Sequence, residues 1–150
     1  MLGILKMGKT FTNRLDCFRA FGFDRSSLRQ ASWVISGATN RKVWVAKVGD
    51  YYEGQNLLGE NMLSEDGLQF TDRRNPRRTD SKKYGENLRE TGDLESILFL
   101  RTRRYENDRR DVFVFRGVFM PDLDKCVENV AVYKRVADAC SLPEGSWQAE

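Results

Sequence analysis

SILFLRTR at residues 96–103 and VFVFRGVF at residues 112–119 are the two clearest strands that the sequence predicts. Both stretches are rich in β-branched and aromatic side chains, which favour extended backbone. The polar YENDRRD stretch between them predicts that a hairpin turn joins the two strands. Because ILFL is a continuous apolar run, we expect the first strand to be covered on both faces and to lie inside a sheet.

The residues before this pair predict a second hairpin. Residues 32–36 (SWVIS) alternate in polarity, with Trp33 and Ile35 on one face. The GATNR stretch has the composition of a turn, and residues 42–48 (KVWVAKV) predict the returning strand.

A leading amphipathic helix is predicted by four apolar residues at four- and three-residue steps: Phe11, Leu15, Phe18 and Phe21. Thr10 or Thr12 is expected to cap its first turn, and Gly22 is expected to end it. A second short helix is expected over residues 24–28.

These elements together predict an α+β fold, in which one or two N-terminal helices precede the strands. The expected architecture is a strongly bent, mostly antiparallel sheet or a partly open β-barrel. Residues 129–136 fit either a strand or a helix face, and their valines favour a strand. The predicted organisation is a flexible lead at residues 1–9, a single domain at 10–140 and a C-terminal tail at 141–150.

The amino-acid composition excludes several classes of enzyme. The chain has no histidine, which removes HNH nucleases, Ser-His-Asp and Cys-His hydrolases, phospholipase-D-like nucleases and most zinc catalysis. Its three cysteines form no CxxC pair, so we expect reduced core residues, a cytoplasmic protein, and neither a metal site nor a cofactor. No apolar run approaches the ~18 residues of a membrane helix, so no membrane partner is expected.

Charge along the chain changes sign abruptly. Residues 51–66 carry four acidic side chains and no basic one, whereas residues 72–83 (DRRNPRRTDSKK) carry six basic side chains and two acidic ones. The net charge is only +3, so this change concentrates positive charge on one surface, as is typical of polyanion-binding proteins. A solvated loop without a partner is the alternative.

The predicted nucleic-acid contacts follow from this composition. Guanidinium groups bind phosphates through paired hydrogen bonds and stack on bases. Phe70 and Tyr84 border the basic stretch, so their rings are the preferred candidates for stacking on a base. The predicted phosphate contacts are Arg73, Arg74, Arg77, Arg78, Lys82 and Lys83 in one cluster, with Arg101 and Arg103 in a second. Local pairing of Arg103 and Arg104 with Glu106 and Asp108 is the alternative for the second cluster.

The case for catalysis depends on carboxylates. A magnesium nuclease of the PD-(D/E)xK type places Glu or Asp two residues before a lysine on a strand. The chain has no ExK, and Asp80-Ser81-Lys82 supplies DxK only within an arginine-rich loop. The sequence therefore favours a non-catalytic nucleic-acid-binding module. Two alternatives stay open: an adaptor or anti-defence protein that binds an acidic protein partner, and a metal-dependent nuclease that uses Asp80, Asp93 and Glu95.

The order of segments over residues 10–136 resembles the uncharacterised C-terminal domain of bacterial superfamily II helicases that carry a phospholipase-D-like nuclease module. The resembling segments are FTNR (11–14), KVWVA (42–46), LQFTDR (68–73), LFLR (98–101) and FVFRG (113–117). Phe70 and Asp72-Arg73 stand where that family has a tryptophan and a Ser-Gln pair. The resemblance implies a DNA-linked role in restriction, defence or mobile elements, with a helicase or nuclease as protein partner.

The segment order is also similar, at the level of the fold, to the SRA and PUA-like readers of modified bases. This second resemblance implies that the nucleic acid is DNA and that the module reads its structure or a modified base.

Overall fold

The computed structural model describes residues 3–35, 40–50, 60–79, 81–103 and 111–143. The chain divides into two compact units: unit 1 (residues 1–47, 94–118 and 137–150) and unit 2 (residues 48–93 and 119–136). In chain order the elements are β1 (Ile4–Lys6), β2 (Thr10–Phe11), α1 (Arg14–Arg19), β3 (Ser32–Val34), β4 (Arg41–Lys47), β5 (Gly49–Asp50), β6 (Glu60–Leu63), β7 (Gln69–Arg73), α2 (Tyr84–Thr91), β8 (Glu95–Arg103), β9 (Asp111–Pro121), β10 (Val130–Ala137) and β11 (Ala139–Ser141).

The sheet of unit 1 has the strand order β3-β4-β8-β9. Strands β3 and β4 are antiparallel, as the predicted hairpin requires, whereas β4 and β8 are parallel, with Lys47 opposite Arg101. All four residues of the ILFL run are buried, which confirms that β8 is covered on both faces. Because residues 48–93, the first segment of unit 2, lie between β4 and β8, the connection is long enough for these two strands to pair in parallel.

The core of unit 1 is aromatic and contains two of the cysteines. The Phe99 ring lies 5.7 Å from both the Phe11 ring and the Phe115 ring. Cys17 and Cys140 are buried in the same core, and Cys126 is buried in unit 2. All three are free thiols, and their burial confirms that they are core residues.

The N-terminal helix is shorter than predicted. Helix α1 begins after Asn13, whose side-chain oxygen accepts a hydrogen bond of 2.9 Å from the Leu15 amide. Phe11 belongs to β2, which pairs with β9, so neither Thr10 nor Thr12 is the cap. Gly22 follows the helix with a φ of 98°, a conformation that favours glycine, as expected. The second helix predicted over residues 24–28 does not form.

The predicted flexible lead is partly ordered. Strand β1 pairs antiparallel with β11, and Leu5 lies opposite Cys140 in the core with 3% of its surface exposed. Leu142, in the predicted tail, is also buried in this core. A buried apolar side chain therefore lies beyond each of the boundaries expected at residues 9 and 140, and the domain limits themselves stay a prediction.

The sheet of unit 2 has the strand order β9-β10-β7-β6-β5. The pairings β10–β7, β7–β6 and β6–β5 are all antiparallel. Strand β10 settles the ambiguity at residues 129–136 in favour of the strand. Phe70 packs edge-on against Phe119 at 6.5 Å and lies 6.4 Å from the Tyr133 ring.

The predicted α+β class is confirmed at the level of class alone. Most of the regular structure in the described residues is strand, and two α-helices accompany it. The one or two helices expected ahead of the strands are not matched, because β1 and β2 precede α1, and α2 lies between β7 and β8. The expected barrel is not matched either, since the end strands β3 and β5 do not pair with each other within the part of the chain that the structure describes. Within the described residues, no helix is long and apolar enough to cross a membrane.

Candidate nucleic-acid interface

The basic loop (residues 73–83) links β7 to α2, and its described residues form a series of tight turns. Asn75 is 5% exposed, and its side-chain oxygen accepts a hydrogen bond of 2.9 Å from the Arg77 amide. The Arg78 amide donates to the Asn75 carbonyl, and the Arg78 carbonyl accepts from the amides of Ser81 and Lys82 at 3.0 Å each. The described part of the loop is therefore an ordered scaffold for its charges, unlike a solvated chain.

Both ends of the basic loop are tied to the tight turn that precedes β10. The Arg74 amide donates to the Asn129 carbonyl at 2.9 Å, and the Asn129 side chain donates back to the Arg74 carbonyl. Just beyond the other end, in the first turn of α2, the Gly85 amide donates to the Glu128 carbonyl at 2.6 Å. A Cβ at position 85 would lie 2.0 Å from the Val130 carbonyl oxygen, so only glycine fits this approach.

A buried carboxylate organises the side chains beneath the basic loop. Asp72, on β7, is 3% exposed. Its Oδ2 atom accepts from the Tyr84 hydroxyl at 2.8 Å and from Nε of Arg74 at 3.1 Å. The Arg74 guanidinium lies over the Tyr84 ring at 4.2 Å from its centroid. Asp72 therefore joins the strand, the loop and the start of α2.

The hydroxyl groups of this network have a defined direction. Tyr84 has one hydroxyl proton and donates it to Asp72, so the Tyr133 hydroxyl, at 2.9 Å, donates to the Tyr84 oxygen. Burial, followed by the negative charge of Asp72, raises the pKa of Tyr84, and burial also raises the pKa of Tyr133. Although burial alone lowers the pKa of Arg74, the charge of Asp72 and the contact with Tyr84 raise it above its ordinary value. Both tyrosines are neutral and Arg74 is charged at neutral pH.

The remaining cations of the basic loop are exposed, and the paired Arg74 side chain is itself 47% exposed. Arg73 and Arg78 are exposed, as are Arg77, Lys82 and Lys83. For the last three, the structure records no side-chain ion pair within the described part of the chain. In the basic loop, Arg74 is therefore paired with the buried carboxylate of Asp72, whereas the side chains of the other cations are exposed.

The two predicted stacking residues differ from expectation. The outward orientation expected for Phe70 is wrong, because its ring is 0% exposed and packs in the core of unit 2. Tyr84 is partly buried, its hydroxyl is engaged by Asp72, and the Arg74 guanidinium lies over its ring. Tyr84 is therefore positioned as an anchor of the basic loop.

The second predicted cluster lies at the end of β8. Arg101 is exposed and paired in register with Lys47. Arg103 ends the strand, and its side chain falls outside the described residues, as do residues 104–110 and the local pairing expected there.

Two of the three carboxylates of the nuclease alternative, Asp93 and Glu95, belong to the described residues. Glu95 pairs with Arg41 through two contacts of 3.3 and 3.5 Å, and Asp80 lies outside the described residues. Among the residues that the structure describes, no three His, Cys, Asp or Glu side chains form a group that could hold a metal ion.

Sequence reasoning missed the residues that hold the basic loop in place. Phe70 and Asp72 are two positions apart on β7, so a strand assigned there places both on one face. The composition of the stretch instead indicates a charged and solvated segment. Nothing local signals Gly85, whose need for glycine arises from a carbonyl more than forty positions away.

Comparison with protein families matches residues 4–142 to the family described as the SET and RING associated domain, SRA. The chain belongs to the SRA family. Because SRA domains bind DNA, this membership supports the nucleic-acid partner that the sequence predicts. The predicted similarity to SRA readers is confirmed, whereas an origin in a helicase C-terminal domain stays a prediction.

Among solved structures, the fold of this SRA domain is similar to that of the 5-hydroxymethylcytosine-specific restriction enzyme AbaSI, with a TM-score of 0.74 at 17% sequence identity. The similarity covers 93% of this chain and 42% of that enzyme, so the SRA domain spans less than half of its neighbour's length. No curated protein matches the sequence.

Proposed function

We propose that this SRA domain reads a modified cytosine in DNA as the binding part of a restriction system. The observation that carries the proposal is the family match over residues 4–142. The structurally similar enzyme AbaSI is a restriction enzyme specific for 5-hydroxymethylcytosine, which supports both the class of base and the link to restriction.

The basic loop supplies the phosphate contacts of this function. Its turns hold Arg77, Lys82 and Lys83 outward, while Asp72 and the tight turn before β10 fix its two ends. Cations held on an ordered scaffold bind the DNA backbone without first ordering a flexible segment, which improves affinity. In this proposal the loop gives affinity for any duplex, and the modified base adds preference.

The reading function itself is non-catalytic in this proposal. Cleavage belongs to a nuclease, with or without a helicase, that acts together with the SRA domain. Magnesium-dependent cleavage of DNA by the purified chain, lost on Glu95→Gln, would overturn this part and favour the nuclease alternative.

The proposal is tested with three duplexes that are identical except for one central cytosine: unmodified, 5-methylated or 5-hydroxymethylated. Affinity is measured by fluorescence anisotropy at one fixed salt concentration, because the backbone contribution depends strongly on salt. We expect at least one modified duplex to bind about tenfold more tightly than the unmodified one, which corresponds to about 1.4 kcal/mol. Equal affinity for all three duplexes would contradict a modified-base reader.

Two matched variants test whether a cation of the basic loop contributes more to DNA affinity than an exposed cation outside it. Arg77→Gln removes an exposed cation of the loop, and Arg89→Gln removes an exposed cation of α2 outside it. We expect the first to weaken binding to all three duplexes by the same factor and the second to have little effect. Equal weakening by both variants would mean that the loop has no special part in binding.

A further inference from the structure

A groove of about 510 Å³ runs along the first strand of unit 1. Seven consecutive residues line it, from residue 3 to residue 9, and they comprise β1 and the turn that follows. Since successive side chains of a strand point to opposite faces, a groove that contacts all of them follows the edge of the strand. Phe11, Ala20 and Leu142 line the rest of the groove and belong to the core of unit 1.

The backbone of β1 is hydrogen-bonded on one side only within the described residues. The Leu142 amide donates to the Gly3 carbonyl at 2.8 Å, in the antiparallel register of β1 with β11. Because hydrogen-bonded and non-hydrogen-bonded pairs alternate in such a ladder, the amide and carbonyl groups of Ile4 and Lys6 point away from β11. Within the part of the chain that the structure describes, no other strand pairs with β1, so this second edge is open.

Two lysines lie at the end of the open edge. The Lys9 amide donates to the Lys6 carbonyl at 3.1 Å, which closes a four-residue turn, and Gly8 has a φ of 86°, as the third position of a type II turn requires. Both lysines are exposed, and Nζ of Lys9 lies 5.8 Å from the centroid of the Phe11 ring, which orients the cation without cancelling its charge. Among the described residues, no carboxylate lines the groove, and neither lysine has an ion pair.

The two faces of β1 select the composition of a segment that pairs with its open edge. Leu5 is 3% exposed and points into the core, whereas Ile4 and Lys6 lie on the exposed face. Directly opposite residues of an antiparallel pair share a face, so the added segment places apolar side chains beside Leu5 and another set beside Lys6. Opposite charges across such a pair are stabilising and like charges are destabilising, which selects acidic residues for the second set.

A second copy of this chain does not meet this requirement. Residues 4–9 (ILKMGK) contain two lysines and no carboxylate, so pairing β1 with its own copy would add positive charge to the groove. Lysines on a short edge strand are a common means of preventing such self-pairing. The charge of the groove therefore favours a different, acidic partner.

We propose that the open edge of β1 binds an extended segment of a partner protein in which apolar and acidic residues alternate. The segment adds a strand antiparallel to β1 and forms backbone hydrogen bonds with Ile4 and Lys6. Its apolar side chains enter the groove beside Phe11 and Leu142, and its acidic side chains face Lys6 and Lys9. Strand addition of this kind takes its affinity from main-chain hydrogen bonds and its specificity from alternate side chains.

This inference goes beyond the proposed reading of DNA and does not depend on it. It assigns a docking site for protein to unit 1, whereas the proposed DNA contacts of the basic loop belong to unit 2. The partner is defined by its chemistry alone, an acidic and apolar segment without regular structure of its own before binding.

The first test measures binding of the fluorescein-labelled peptide VEVEV by fluorescence anisotropy. We expect Lys6→Gln/Lys9→Gln to weaken binding about fivefold to tenfold, the usual size of two surface charge pairs together. Arg25→Gln/Arg29→Gln is the matched control, because it removes the same charge from two exposed arginines of unit 1 outside the groove. It should keep the parental affinity. A parent without saturable binding of VEVEV, or equal weakening by both double variants, would overturn the proposal.

The second test asks whether the peptide pairs through its backbone. In the proposed register the glutamates of VEVEV lie opposite Ile4 and Lys6, so their amides face β1 and the valine amides face away. N-methylation of the two glutamates should abolish binding, whereas N-methylation of the last two valines should preserve it. Hydrogen exchange at the Ile4 and Lys6 amides should slow when VEVEV binds, with little change at Leu5, which β11 already pairs. Equal affinity of the two methylated peptides, with unchanged exchange, would overturn strand addition.

The third test identifies the surface that the peptide occupies. An acidic peptide resembles DNA in charge, so the triple variant Arg77→Gln/Lys82→Gln/Lys83→Gln is included, and it should bind VEVEV with parental affinity. Loss of peptide binding in this variant, with parental binding in Lys6→Gln/Lys9→Gln, would place the peptide on the basic loop and overturn the proposal. Lys6→Gln/Lys9→Gln should also keep the parental affinity for duplex DNA, so a failure of this inference is distinguishable from a failure of the proposed function. Weaker duplex binding by that variant would overturn the assignment of the groove to a protein.

Discussion

The basic loop of unit 2 and a cationic recess of unit 1 position their charges in different ways. The cationic residues that line the recess are Arg14, Arg29, Lys47 and Arg101. In the loop, the buried carboxylate of Asp72 binds Arg74, so one cation holds the scaffold and its neighbours face solvent. In the recess, carbonyl oxygens hold Arg14, and the described lining contains no carboxylate. The comparison teaches that the number of basic residues in a cluster overstates its binding charge wherever an acidic residue lies beneath it.

The largest expected effect is a loss of stability when Phe70, on the strand that precedes the basic loop, is shortened. Phe70→Ala removes a fully buried ring that contacts Phe119 and Tyr133, so we expect a loss of about 3–5 kcal/mol in the free energy of unfolding. Urea denaturation measures this loss, and Phe70→Leu should lose less because it keeps part of the apolar volume. The folded fraction should bind DNA with parental affinity. Parental stability combined with weaker binding would instead mean that the ring contacts a base.

The second effect tests the carboxylate that distinguishes the two regions. Asp72→Asn keeps the shape of the side chain but removes the charge that accepts from Arg74 and Tyr84. We expect the unfolding free energy to fall by about 1.5–3 kcal/mol, the usual range for hydrogen bonds to a charged group. Hydrogen exchange at the amides of the basic loop should become faster.

Asp124→Asn is the control, since Asp124 is an exposed aspartate of the same unit. It should change neither stability nor exchange. An Asp72 variant that behaves like this control would show that the carboxylate does not hold the loop.

Only part of the fold can be predicted from the sequence alone. Strands β4, β8 and β9 are predictable because their apolar runs are long and their residue types favour extended backbone. Strands β6 and β7 are missed, since a strand that buries Phe70 and Asp72 on one face has a polar composition in the sequence.

The candidate site, too, can be predicted only in part from the sequence. The basic stretch is evident from composition, and the expectation that its flanking rings face outward depends on that composition alone. The recess could not be predicted, because Arg14, Lys47 and Arg101 meet only through the parallel pairing of β4 with β8 and the position of α1. Gly85 is likewise explained only by a contact with the distant turn before β10.

A smaller effect is expected in alkaline solution. The pKa of Tyr84 is raised in the folded protein, so the unfolded chain loses the hydroxyl proton first, near pH 10, while the folded protein retains it. Stability is therefore fully present below about pH 10 and decreases above it, by at most about 1.4 kcal/mol per pH unit for each such tyrosine. Tyr84→Phe should decrease less steeply than the parent when urea denaturation is repeated from about pH 8 to about pH 11. Identical pH profiles would contradict a hydroxyl held neutral beside Asp72.

The smallest effect on stability should accompany a clear effect on binding. Replacing Arg77, Lys82 and Lys83 together with glutamine removes exposed charges, so the unfolding free energy should change by less than about 0.5 kcal/mol. The slope of log K against log salt should flatten by about two to three, because each lost phosphate contact removes about 0.9. Arg74→Gln removes the same charge from the same loop, yet Asp72 neutralises it, so this variant should lose stability with little change in slope. If Arg74→Gln instead flattened the slope as much as Arg77→Gln at parental stability, the contrast between an anchored and a presented cation would be wrong, and the two basic regions would differ only in position.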